Sequence, residues 1–185
     1  MDPKDTIEIQ NVVASTAIGH DLDLEEVSVG LQGADYDPEQ FPGVVYRIQD
    51  PRAATLIFRS GKIVCTGADS PEKVDKAIQI LFERLRELGI DVGGEPEIKI
   101  QNIVSSADLG HDLNLNAIAI GLGLENIEYE PEQFPGLVYR IDDPDVVALL
   151  FGSGKIVVTG GTKLEDASRA VERIVDELEA LDLYG

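Results

Sequence analysis

One cysteine, one methionine and no tryptophan occur in these 185 residues. A lone thiol forms neither an internal disulfide nor a cysteine-rich metal centre, so Cys65 is expected as a buried core residue. No apolar run approaches the roughly 20 residues that span a bilayer, which excludes a transmembrane helix. The start, Met1-Asp2-Pro3-Lys4-Asp5, lacks the basic region and apolar stretch of a secretory signal, and an intracellular, cytoplasmic protein is expected. Positive charge is the scarcest resource: 15 lysines and arginines stand against 35 acids, a net charge of -20. The basic footprint usual in nucleic-acid binders is therefore missing from the chain as a whole. The acids are scattered through both halves rather than gathered in a tail, the pattern of solvated faces. At about 1 M ionic strength the Debye length is only about 3 Å, so such a surface suits concentrated salt and points to a halophilic source.

What is abundant is repetition. Tyr36 to Gly67 and Tyr129 to Gly160 align at an offset of 93 with 22 of 32 positions identical, EQFPGVVYRI against EQFPGLVYRI and GKIVCTG against GKIVVTG. Upstream, Thr6 to Leu31 aligns with Glu97 to Leu122 at an offset of 91 with 13 of 26 identical, including Gln-Asn and Gly-His-Asp-Leu. Two copies fall short of the three or more that a solenoid needs, so a pseudo-twofold molecule is expected, with residues 1–92 and 93–185 as the repeats.

Within each copy, strands precede one long helix, the order of an α+β layer. The pattern predicts five strands in the first copy: Ile7 to Ser15, Val27 to Gln32, Gly43 to Gln49, Ala53 to Phe58 and Lys62 to Gly67. A short helix is predicted near Leu22 to Glu26. Ser70 with Pro71 opens a long helix and Gly89 follows its end; Thr162 and Glu165 form the expected capping box of the second. Val74, Ala77, Ile78, Leu81, Leu85 and Leu88 recur at helical spacing, matched by Ala167, Ala170, Val171, Ile174, Leu178 and Leu181. The expected fold is a curved antiparallel sheet of about ten strands, a saddle, with two long and two short helices on its convex face.

Two helices cover one side of such a sheet. Strand residues alternate, so Leu56 and Phe58 share one face and Ile57 takes the other, while Lys62, Val64 and Thr66 oppose Ile63 and Cys65. The helix-free face then exposes more Val, Leu and Phe than a soluble monomer tolerates, the mark of a binding surface. Its polar residues are Asn, Thr, Lys and Arg, with few acids. A shallow apolar surface of this kind fits the DNA minor groove, where Asn11 and Asn102 are donors matched to adenine N3 and thymine O2, and phenylalanines at its ends act as wedges between base steps.

The duplicated QNxV, EQFPG, YRI, LxF or LLF and SGKIVxTG motifs resemble the core of the TATA-box-binding protein family, archaeal in type, over nearly the whole chain. That resemblance implies a transcription initiation factor that kinks TATA-box DNA. It makes Phe41, Phe58, Phe134 and Phe151 the wedges and brings Thr66 and Thr159 to the bases beside Asn11 and Asn102. Val13, Val64, Val104, Val157, Leu56 and Leu149 would lie on the groove floor, and Arg47, Arg140, Lys62, Lys155, Ser60 and Ser153 on phosphates. The loops Tyr36 to Gly43 and Tyr129 to Gly136 resemble the family's stirrups. Glu130 and Glu132 would meet transcription factor B, with RNA polymerase recruited indirectly. One departure is Gly152, where the first copy has Arg59. A weak homodimer off DNA is expected from the apolar face, and no cofactor is implied.

Rival chemistry is thin. His20-Asp21 and His111-Asp112 come with no serine elbow or metal-spaced histidine. Gly152 to Lys155 lacks the glycine spacing of a phosphate loop and leads into a strand. Asp142, Asp143 and Asp145 fit neither a calcium loop nor a two-metal site. An enzyme is not expected, and the alternative is a module that docks a protein or peptide on the apolar sheet face.

Overall fold

The computed structural model describes residues 2–123 and 125–184, with α+β architecture. It divides into two compact units, one of Asn11–Gln101 and one of Met1–Gln10 with Asn102–Gly185. The boundary of compactness therefore differs from that of the repeat. The first ten residues belong with the second copy's elements, and residues 93–101 with the first copy's.

After a 3-10 turn at Pro3–Thr6, the elements are β1 (Glu8–Ala17), α1 (Leu24–Gly30), β2 (Val44–Gln49), β3 (Arg52–Ile57), β4 (Lys62–Ala68) and α2 (Pro71–Glu87). The second copy supplies β5 (Lys99–Asp108), α3 (Leu115–Leu122), β6 (Ile127–Glu128), β7 (Leu137–Ile141), β8 (Val146–Leu150), β9 (Lys155–Gly161) and α4 (Leu164–Ala180). Neighbouring strands within each unit are antiparallel: β2, β3, β4, β1 in the first, and β5, β9, β8, β7, β6 in the second.

Nine strands thus stand among the described residues where about ten were expected, because Val27 to Gln32 is not a strand. Asp23 caps α1 through Oδ1, which accepts from the amides of Glu25 (3.1 Å) and Glu26 (3.3 Å). Leu24, Val27 and Leu31 are buried at helical spacing while Val29 is 87% exposed. The Val-x-Val-x-Leu alternation that suggests a strand is the chance overlap of a short helix and its exit. The predicted short helix, at Leu22 to Glu26, accordingly starts and ends later. In place of the second copy's β6, the first copy has only the isolated bridge Asp35 to Val45.

The long helices follow their sequence signals. Ser70 Oγ accepts from the Lys73 amide at 3.2 Å, and Gly89 leaves α2 at φ +84. The box at the start of α4 sits one residue later than Thr162 and Glu165 suggest: Lys163 is the cap residue, and Asp166 Oδ2 accepts from the amides of Thr162 and Lys163, both at 3.1 Å. Val74, Ala77, Ile78, Leu81 and Leu85, joined by Phe82, bury one face of α2, and Ala167, Ala170, Val171, Ile174 and Leu178 bury one face of α4. They cover Ile57, Ile63 and Cys65 in one unit and Leu150, Ile156 and Val158 in the other. Burial pushes the Cys65 thiol up to about 11.

Candidate nucleic-acid interface

Strand alternation sets the opposite face. In the unit Asn11–Gln101, Val45, Leu56 and Val64 pair across β2, β3 and β4, and Arg47, Ala54 and Thr66 form the next row. In the other unit the same rows are Val138, Leu149, Val157 and Arg140, Val147, Thr159. The valines, leucines and threonines of these rows, with Val13 and Val104, are half-buried, whereas their strand neighbours toward the helices are fully buried. Each unit therefore presents a shallow apolar strip left uncovered by its helix. Val45, Val138, Ala54 and Val147 belong to these rows and were missed in the sequence, although period-two alternation from Arg47 and Leu56 would have found them.

Beside each strip an asparagine is held in one orientation. Asn11 Oδ1 accepts from the Gly67 amide at 2.7 Å, and its Nδ2 donates to Thr66 Oγ1 at 3.1 Å. Asn102 repeats this with Gly160 (2.6 Å) and Thr159 (3.1 Å). The backbone donor fixes the amide oxygen, and Nδ2, with one N–H on the threonine, has a second N–H without a partner among the described residues. The geometry comes from a bulge: between Val12 and Ala14 the β1–β4 register slips, so Thr66 and Gly67 together oppose Val13, and the slip recurs at Val104 opposite Thr159 and Gly160. Gly67 and Gly160 have φ of +94 and +98, which side-chain-bearing residues rarely adopt. These two glycines are site residues that the sequence did not single out.

The phenylalanines form two pairs. Phe41 meets Phe58 edge to face with ring centroids 5.7 Å apart, and Phe134 meets Phe151 at 5.9 Å. In each stirrup-like loop one helical turn places the first ring: Phe41 N–H donates to Asp37 O and Phe134 N–H to Glu130 O, both at 2.9 Å. The glycine two residues on makes room. A Cβ on Gly136 would lie 2.7 Å from Phe134 Cε2 and 3.0 Å from Phe151 Cε1, and one on Gly43 would lie 3.0 and 3.1 Å from Phe41 Cε2 and Phe58 Cε1. Phe134 remains 39% exposed. A ring pair half out of the surface is poised to enter an apolar slot.

Basic residues edge the strips unevenly. Arg47, Lys62 and Lys155 are exposed without an ion-pair partner among the described residues, whereas Arg140 Nη1 lies 2.7 Å from Glu128 Oε1. Ser60 and Ser153 are exposed in the tight turns that join β3 to β4 and β8 to β9, and each hydroxyl caps the lysine amide two residues on. Arg59 and Gly152, where the copies differ, are exposed in the same turns. Glu130 and Glu132 are exposed in the second loop.

The duplicated Gly-His-Asp segments brace those turns. Leu22 N–H donates to Arg59 O and Leu113 N–H to Gly152 O, while a Cβ on Gly61 or Gly154 would collide with the carbonyl of His20 or His111. The His20 ring contacts the carbonyls of Asp21 and Asp91 through its two nitrogens, which favours the doubly protonated ring and raises its pKa above the ordinary value. His111 contacts Asp112 O and packs edge to face on Tyr184, centroids 4.7 Å apart. Gly152 to Lys155 is the β8–β9 hairpin turn. Asp143 anchors α4, accepting from Arg169 at 2.7 Å.

Comparison with known proteins follows the repeat copy by copy. The model of the family described as transcription factor TFIID (or TATA-binding protein, TBP) matches residues 6–88 and again 97–181. The chain belongs to the TATA-binding protein family. It is 70% identical over 183 residues to the TATA-box-binding protein of Haloarcula marismortui, covering 99% of this chain and 98% of that one. It is 63% identical over 177 residues to that of Archaeoglobus fulgidus, covering 96% and 97%. The solved structure of Methanococcus jannaschii TBP superposes with a TM-score of 0.85 at 56% identity, covering 94% of this chain and 98% of that one. The family model matches once in each half of the chain, and both copies keep the asparagine, the threonine and the paired phenylalanines.

Proposed function

We propose that this chain is a general transcription initiation factor that binds the minor groove of the TATA box. The observation that carries the reading is the fixed asparagine amide beside an uncovered apolar strip, present once in each copy. Adenine and thymine offer only acceptors in the minor groove, whereas guanine adds an amino group that would meet the N–H of Asn11 or Asn102 donor to donor. The valine and leucine rows suit the groove floor, and the pairs Phe41–Phe58 and Phe134–Phe151 suit insertion between base steps at two kinks. Arg47, Lys62, Lys155 and, once released from Glu128, Arg140 reach phosphates, with Ser60 and Ser153 alongside. The bent complex is then offered to transcription factor B through Glu130 and Glu132, and so to RNA polymerase.

Haloarchaeal relatives support a halophilic setting, which accounts for the charge of -20. The test is a band shift in concentrated KCl comparing a TATA duplex with a GC-rich duplex, with Phe134→Ala as the control. Preference for the TATA duplex, weakened in the variant, is the expected result; equal binding to both, or none, rejects the reading and favours a peptide-docking face.

A further inference from the structure

The two copies differ in charge at equivalent places. In the unit Asn11–Gln101, Lys62, Lys99, Ser15, Ser60 and Glu97 line one open groove of about 420 Å³. Across from Lys62 in the β1–β4 register stands Ala17, which is neutral. Gln101 Nε2 donates to Ser15 Oγ at 2.7 Å and ties the start of β5 to this place. Two ammonium groups thus share the groove with one carboxylate.

The other unit repeats the frame with the charge reversed. Gln10 Nε2 donates to Ser106 Oγ at 2.9 Å, the counterpart of Gln101 and Ser15. Lys155 stands for Lys62, but Glu8 stands for Lys99, and Asp108 stands for Ala17 directly across from Lys155. Thr6 replaces Glu97, its hydroxyl accepting from the Asp108 amide at 2.8 Å. The equivalent positions thus hold one lysine and two acids, of which Asp108 accepts from the Gly110 amide through Oδ1 at 2.8 Å. Arg140 adds to the contrast, since its guanidinium is already paired with Glu128 while Arg47 has no such partner among the described residues.

At molar salt only contact-range electrostatics survive screening, so these few groups outweigh the net charge of either half. A phosphate entering the first groove finds two donors with positive charge. At the second it meets two carboxylates. Ser60 and Lys62 also border the row of Leu56 and Val64, so a duplex lying on that row brings its own backbone to the groove.

We propose that the Lys62–Lys99 groove seats a DNA backbone phosphate, and that the reversed charge at Glu8 and Asp108 fixes which way round the protein sits on a nearly symmetric site. Lys99 is then an orientation-determining residue. This inference rests on the TATA-box reading above.

Orientation is measurable on a duplex with a self-complementary TATATATA core, in which one half carries neutral methylphosphonates in place of phosphates. A DNA-cleaving reagent is attached at Glu132→Cys, because buried Cys65 is not labelled in the folded protein. The wild-type background should cut the methylphosphonate half in preference, by about threefold, the size of one exposed ion pair. Lys99→Glu with Glu8→Lys should reverse the ratio, and either change alone should bring it towards even. An unchanged ratio in the double variant, with binding retained, overturns the proposal. Failure to prefer the TATA duplex over a GC-rich one overturns the functional reading, and the proposal with it.

Discussion

Replacing Gly136 by alanine puts a methyl carbon 2.7 Å from Phe134 Cε2 and 3.0 Å from Phe151 Cε1. Ordinary carbon contacts begin near 3.5 Å, so the rings must part by several tenths of an ångström. Phe134, being 39% exposed, can swing outward, which spares the core and limits the cost to the edge-to-face contact. That contact is worth about 0.5–1.5 kcal/mol, which for a chain of this size lowers Tm by only a few degrees, about 2–4 °C per kcal/mol. Binding should suffer more. Unstacking a base step costs about a few kcal/mol, repaid by the contacts of the bent duplex, and a ring pair forced apart makes a poorer wedge. A loss of about 1.5–3 kcal/mol corresponds to a Kd raised about tenfold to a hundredfold. A band shift in concentrated KCl, a fluorescence measurement of the end-to-end distance of the duplex and a thermal melt separate the two effects. A Kd and bend within twofold of wild type, with the alanine confirmed by mass, would refute the claim that Gly136 exists to seat the ring pair.

Asn102→Asp keeps an acceptor for the Gly160 amide but replaces the outward N–H with a carboxylate oxygen, so Tm should hold while preference for the TATA duplex falls about tenfold to a hundredfold; titration of both duplexes checks it. Affinity should hold or rise from dilute to molar KCl, because few phosphates are neutralised and apolar burial carries the binding; a steep loss measured by anisotropy contradicts this. The His20 ring, with its pKa raised by the carbonyls of Asp21 and Asp91, contributes stability that is full below the unfolded pKa and is lost as pH rises through the folded one. The change in Tm between pH 5.5 and 8.5 should therefore shrink in His20→Gln. Tyr139 is pushed up to about 12, chiefly by burial and also by Glu177, so it stays protonated in the fold while the unfolded chain ionises near pH 10. Stability should fall as pH rises from about 10 to 12, less so in Glu177→Gln, with tyrosinate absorbance as the readout.

Elements with strong local signals were legible. Ser70, Pro71 and Gly89 mark the ends of α2 because capping is a matter of nearest neighbours, and the apolar stripes of α2 and α4 lie where their spacing puts them. Val27 to Gln32 misled because seven residues of helix leave too few turns to outvote an accidental alternation. Asp166 was overlooked because Thr162 is the better cap by type, yet the chain enters α4 one residue later. In the interface, the side chains at stake were readable because alternation assigns Leu56, Val64 and Asn11 to a face. Gly43, Gly67, Gly136 and Gly160 were not, since a glycine's purpose depends on what lies over it. Lys99 and Glu8 became informative only when register set them beside Lys62 and Lys155.

The mismatch between repeat and compact unit bears on how the chain is made. Its first ten residues leave the ribosome long before Asn102–Ala180, the elements they pack with, have been synthesised. Folding of the second unit therefore reaches back to a segment made before the first unit, and the nascent protein must hold Ile7 uncovered until then. A fragment cut at the repeat boundary after Val92 would carry that decamer without its partner and lack Gln101, whereas a circular permutant opened between Gln10 and Asn11 would give each unit one continuous stretch of sequence.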